Sequence, residues 1–230
     1  MPNITYLKNK DIDLKKWDAC IDNSVNPLIY PLSWYLDCVA DNWDGLVLGD
    51  YEAVMPLPWR QKYGLKYIYQ PVFAQQLGIF GLREEHLNAS AFLKKVPLKF
   101  VKVDYCFNYM NHGYGNVKTR ERTNTILPLN KSYEELYANF SKSHRKNIKK
   151  AIQQDILVKE QFHLKEEYVQ FYKESIFRLI TYKRYINAHL PFERLVRHAL
   201  SYKKGVFYVA YGLDNKLYGQ IFYVNYFKRY

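Results

Sequence analysis

The spacing of apolar residues in this chain switches between the two-residue period of a strand and the near-four-residue period of a helix, and each switch marks an element. Ile4 to Leu7 reads as a short strand. Asp13 stands where a capping carboxylate belongs, ahead of a helix carrying Leu14, Trp17 and Ile21 to Asn23. The NPLIYP segment interrupts it, and Ser33 caps a second helix through Trp34, Leu36, Cys38 and Val39, closed by Asp41 and Asn42. Two apolar runs about Gly49 and Asp50 predict a tight two-residue hairpin. Pro56 and Pro58 should end or edge its second strand, because proline has no amide hydrogen to give a ladder. Lys66 to Gln70 is a further strand, and PVFAQQLGIFG is a loop bringing together Gln75, Gln76, Gly78 and Gly81. Glu84 and Glu85 then open a helix through Leu87, Phe92 and Leu93. Phe100 to Tyr109 alternates strictly and is the clearest strand in the pattern. A glycine loop over Asn111 to Asn116 precedes a strand through Thr123, Thr125 and Leu127.

Ser132 to Ile152 is the segment about which the rest is arranged. Ser132 lies three residues before Glu135, the spacing of a capping box, so a helix starts there. Leu136, Phe140, His144, Ile148 and Ile152, with Tyr133, Tyr137 and Ala151 beside them, form a stripe expected to lie against a core. Its other face carries Lys142, Arg145, Lys146, Lys149 and Lys150. Cations late in a helix complement its dipole, so this face is either simply solvated or set to meet an anionic partner.

After a short strand at Ile156 to Lys159 the pattern starts again. A helix with Tyr168, Phe171, Tyr172, Ile176 and Leu179 and a second with Phe192, Leu195, Val196 and Leu200 lead to a hairpin about Asp214 and Asn215. Helix, helix, hairpin thus occurs twice without any repeat of letters. The expected division is a first unit over 1–131, a basic connecting helix and strand over 132–160, and a partial second unit over 161–230. An apolar final strand leaves pairing groups exposed, which implies a homo-oligomer covering that edge or a shortened version of a longer chain.

A chain of 230 residues with 48% hydrophobic content can bury a substantial core. Its formal charge of +12 favours a negatively charged partner: a nucleotide, RNA or an anionic membrane surface. Cys20, Cys38 and Cys106 are widely spaced and odd in number, which argues against a disulfide framework or a CxxC metal site and fits a reducing cytoplasm. No run approaches the roughly 20 apolar residues of a membrane helix, so the expectation is a soluble, bacterial-type cytoplasmic protein. HExxH, GxSxG and P-loop motifs are missing, and no metal site is expected.

Two stretches could carry chemistry. Backbone amides about Gly78, with Gln75, Gln76 and Gly81, could cradle a pyrophosphate ahead of the Glu84 helix. Arg178, Tyr182, Lys183, Arg184 and Tyr185 combine bidentate cations with phenols that can stack or donate a proton. Each also has a plain structural reading, as chain reversal and as helix-end charges. His112 is a lone loop histidine that could act as a base.

Two helices, a hairpin, a further strand and a glycine loop resemble the GNAT acyltransferase fold, an α/β (α+β) unit. The doubling of that unit, joined by LPLNKSYEELYANFSKSHRKNIKKA, resembles the Fem-type aminoacyl and acyl transferases, whose typical run is matched by Arg145 to Ala151, RKNIKKA. The GNAT phosphate loop reads Gln/Arg-x-x-Gly-x-Gly/Ala; here the last glycine, Gly81, comes one position late. The resemblance implies tandem GNAT-like units, the second incomplete. It also implies transfer of an acyl or aminoacyl group to an amine on an anionic, nucleotide-bearing acceptor such as a cell-wall precursor. No permanent cofactor is implied; the donor is acyl-CoA or aminoacyl-tRNA, and the Arg178 to Tyr185 region holds the acceptor. The alternatives are a nucleic-acid-binding module using residues 142–150, or a fold remnant acting through a partner chain.

Overall fold

A computed structural model describes residues 3–179 and 188–226, with the side chains of 176–179 excepted. The fold is mixed α and β, with two separate sheets among the described residues. The first is built from β1 (Ile4–Leu7), β2 (Trp43–Leu48), β3 (Ala53–Lys62), β4 (Leu65–Ile68) and β6 (Phe100–Val103) in that order, while β5 (Phe80–Gly81) pairs with β3. Neighbours are antiparallel except β4 and β6, which run parallel across a connection containing α3 (Ala89–Leu93). The second sheet is β7 (Leu157–Gln161), β8 (Gly205–Tyr211) and β9 (Leu217–Val224), antiparallel throughout.

The same order opens both sheets. Strand β1, helices α1 (Leu14–Asp22) and α2 (Ser33–Val39), and hairpin β2–β3 are echoed by β7, α6 (Glu166–Leu179), α7 (His189–Ser201) and β8–β9. In each, the first strand pairs antiparallel with the first strand of the hairpin. The equivalent helices α2 and α7 pack on each other. Trp34 of α2 stacks on His198 of α7 at 4.7 Å between ring centres, and His198 stacks in turn on Tyr202 at 4.6 Å. The Arg194 guanidinium donates to the Cys38 carbonyl at 2.9 Å, and the Tyr226 hydroxyl donates to Asp22 at 2.7 Å.

Burial follows from the strand period. Val47 and Val54 face α1 and α2 in one core with Trp17, Ile21 and Leu36, while Leu46, Met55 and Leu57 face the opposite side in a second core with Leu87 and Phe92. A third core joins Tyr168 of α6, Phe192 and Val196 of α7, and Phe207 and Val209 of β8. Each fully buried Leu or Ile contributes about 1.5–3 kcal/mol, so the first sheet, covered on both faces, is the stable platform. Gly45 of β2 admits Trp17 so closely that an added Cβ would sit 2.6 Å from the indole.

Several local expectations are corrected. The hairpin turn spans residues 49–52, since Leu48 faces Ala53. Pro56 and Pro58 lie inside β3. Trp59 donates its amide to the Asn42 carbonyl on the β2 side, so the amide positions of the even-numbered residues face the other way, where β5 pairs only Ala53 and Val54 and pairing with β4 begins at Trp59. Prolines there forfeit no ladder bond. Ser33 does not cap α2; its amide and hydroxyl both donate to the Asp18 carboxylate of α1, at 2.7 Å each, tying the two helices together. The long strand over Phe100 to Tyr109 stops at Val103, because its partner β4 ends at Ile68. Beyond it, Phe107 bridges to Leu77 instead. Residues 117–131 pair with no described strand, and Ile126 and Leu129 are exposed.

The rod expected over Ser132 to Ile152 is two helices, α4 (Tyr133–Ala138) and α5 (Lys142–Gln153). Asn139 ends the first by turning its carboxamide back to donate to the Glu135 carbonyl, and the Ser141 hydroxyl accepts from the His144 amide to start the second. The capping box at Ser132 and Glu135 is present. Neither helix holds a buried residue, so the apolar stripe does not lie against a core.

Candidate functional site

Local spacing brings one predicted cluster together. Lys142, Arg145, Lys146, Lys149 and Lys150 line one open concavity of about 750 Å³ on α5, together with Gln153 and with Tyr137 of α4. Residues three, four, seven and eight apart share a helix face, so α5 needs no tertiary contact to assemble them. Among the described residues no carboxylate lies within 4.0 Å of any of the five. Their mutual repulsion is relieved by no carboxylate among the described residues, only by the helix dipole toward the C-terminal end. Rings line the approach: Tyr133 lies 5.8 Å from Tyr137, Tyr137 6.0 Å from Phe140, and Phe140 6.4 Å from His144.

The glycine loop serves a different end. Gln76, Gly78 and Gly81 are buried, and Gln75 alone of the four is exposed. The amides that would cradle a pyrophosphate are occupied: Leu77 donates to the Cys106 carbonyl at 2.7 Å, Gly78 to the Tyr105 hydroxyl at 3.0 Å, and Ile79 to Asn111 Oδ1 at 2.9 Å. Three buried asparagines converge on this turn. The carboxamide nitrogens of Asn26, Asn108 and Asn111 each donate to the Ile79 carbonyl, at 2.9, 3.1 and 2.9 Å. The Tyr105 hydroxyl in turn donates to the Pro56 carbonyl at 2.6 Å, and burial raises its phenol well above the ordinary range. The loop is a polar clamp between β3 and the segment after β6, with no free amide at Leu77, Gly78 or Ile79. The exposed Gln75 donates to Asn124 Oδ1 at 3.0 Å.

Tyr182, Lys183, Arg184 and Tyr185 lie outside the described residues, and for Arg178 only the backbone, within α6, is described. His112 is exposed, with Nδ1 3.4 Å from the Met110 carbonyl. Cys20 and Cys38 are buried free thiols, pushed up by burial to about 12 and about 11, which makes both poor nucleophiles.

Sequence reasoning missed a second polar cluster. The Tyr6 phenol of β1 donates to the buried Asp44 carboxylate of β2, Lys99 donates to the same phenol oxygen at 2.5 Å, and the Asn9 amide donates to Asp44 at 3.1 Å. Desolvation first, then the Asp44 carboxylate, holds the Tyr6 phenol protonated. Each group satisfies another, so the cluster closes on itself. Its members come from three separate segments, and no local spacing announces them.

No helix among the described residues is long and apolar enough to cross a membrane. Comparison of the chain with protein-family models, with curated proteins and with solved structures returned no match.

Proposed function

We propose that this chain is a GNAT/Fem-like acyltransferase, moving an acyl or aminoacyl group from coenzyme A or a transfer RNA to an amine of an anionic, nucleotide-bearing substrate. One observation carries the reading: strand, helix, helix and hairpin recur in one order, and the equivalent helices α2 and α7 pack together. Such a doubling is what the resemblance rests on. The chemistry asks little covalently: the amine must lose a proton, a donor must polarise the carbonyl, and the reactants must be held in contact. The proposal keeps Arg178, Tyr182, Lys183, Arg184 and Tyr185 as the acceptor site. At the glycine loop it keeps the exposed Gln75 side chain, because the loop amides are engaged. Cytoplasmic placement and a homo-oligomer covering the free edge of β9 belong to the same proposal.

The test is titration of the full chain with coenzyme A, acyl-CoA and aminoacyl-tRNA at low and raised salt. Saturable donor binding that persists as salt rises is expected, with transfer to an amine read by mass spectrometry. A chain that binds none of these donors, and binds unrelated RNA with affinity falling steeply with salt, refutes the reading.

A further inference from the structure

We infer that α4 and α5 form an interfacial element that lays this chain on an anionic lipid surface. Leu136, Tyr137 and Phe140 of the α4 region and Ile148 and Ile152 of α5 belong to none of the cores and pack against none of them. Ile152 is 71% exposed and Tyr133 62%. At 3.6 residues per turn, Ile148, Ala151 and Ile152 occupy one side of α5, while Lys142, Lys146, Lys149 and Lys150 occupy the other and Arg145 marks the border. A helix on a protein core hides its stripe, and a helix that follows a phosphate backbone needs cations alone. This one has an apolar side that joins no core, with Leu136, Tyr137, Phe140 and Ile148 half-buried and Ile152 exposed, and a cationic side with no carboxylate within 4.0 Å among the described residues. That combination matches the boundary between acyl chains and anionic headgroups, where the stripe enters the apolar layer and lysine stems carry their charges up to the headgroups. The inference rests on an apolar stripe that joins no core and not on the transferase reading, so either can fail alone.

The test is sedimentation of the full chain with vesicles of phosphatidylcholine alone and of phosphatidylcholine and phosphatidylglycerol in equal parts. The chain is expected to pellet with the mixed vesicles and to stay in the supernatant with phosphatidylcholine. Changing Arg145, Lys146, Lys149 and Lys150 together to Gln lowers partitioning several hundredfold, at about fivefold per cation. Changing Ile148 and Ile152 to Ser lowers it at least about tenfold. Neither set touches a core, so thermal melting stays at the wild-type temperature and reports folding directly. A separate Ile152→Trp chain is expected to show an emission blue shift on mixed vesicles. Unchanged vesicle binding by the Ile148→Ser, Ile152→Ser chain overturns the inference. So does a wild-type chain that stays in the supernatant with both kinds of vesicle; if it then binds RNA with steep salt dependence, the face is a nucleic-acid site.

Discussion

Gly78→Ala is the sharpest perturbation of the platform. Gly78 has φ +96°, and an added Cβ would lie 2.0 Å from Asn111 Oδ1. The backbone there costs an alanine about 1–3 kcal/mol. The methyl also has to expel the Asn111 carboxamide, which accepts from the Ile79 amide and donates to the Ile79 carbonyl, each at 2.9 Å. Leaving that buried amide unpaired adds about 1–3 kcal/mol. The sum, roughly 2–6 kcal/mol, is a large part of the 5–15 kcal/mol typical of a folded chain. Urea unfolding followed by tryptophan fluorescence reads it directly. Asn111→Ala supplies the partner for a double-mutant cycle: with the carboxamide already gone, Gly78→Ala should cost only its backbone part, giving a coupling of about 1–3 kcal/mol. If Gly78→Ala unfolds within 1 kcal/mol of wild type, or the two changes simply add, the clamp does not hold the turn.

Burial, then the Lys204 ammonium, holds the His198 imidazole below its ordinary 6.5, against a smaller opposing pull from Asp37. The unfolded chain therefore takes up the proton first: stability is full above about pH 6.5 and falls as pH drops through that value toward the folded-state pKa, and His198→Phe should flatten that part of the melting profile. With iodoacetamide at mildly alkaline pH, Cys106, which is partly exposed, should be alkylated first, and Cys20 and Cys38 only after denaturant is added. Pro56→Ala should cost about 1–3 kcal/mol by the same unfolding assay, since the new, buried amide faces the gap beside β3 and finds no ladder partner among the described residues.

Elements whose pattern is set by a helix packed on a sheet were legible before any coordinates. Helices α6 and α7 and the β8–β9 hairpin lie where period and turn residues place them. The misreadings share a cause, a partner distant in sequence. Ser33 carries the local signature of a cap, and Asp18 claims its hydroxyl. Phe100 to Tyr109 alternates throughout, yet ladder pairing needs β4, which stops early. The cations of α5 could be read because a single helix face assembles them. Asn26, Asn108 and Asn111 could not, because they meet only after separate loops converge on Ile79.

The doubled architecture leaves no repeat of letters, and the two hairpins show why. In the first, the face turned away from α1 and α2 carries Leu46, Met55 and Leu57, all buried beneath the segment that holds α3. In the second, the corresponding face carries Val206 and Tyr208 of β8 opposite Tyr223 and Ile221 of β9, and no described element covers it. Ile221 is 48% exposed there. A covered face rewards aliphatic side chains that fill space, whereas a face open to water favours residues with an apolar body and a polar tip. The tyrosines fit that demand, with the Tyr208 hydroxyl donating to Glu160 of β7 at 2.7 Å. Toward the helices the environments agree, and so does the chemistry: Val47 and Val54 in one sheet, Phe207, Val209 and Phe222 in the other. Repetition survives where the surroundings repeat, at the level of which side a residue faces, and is lost in letters where one sheet is sandwiched and the described residues cover the other on a single side.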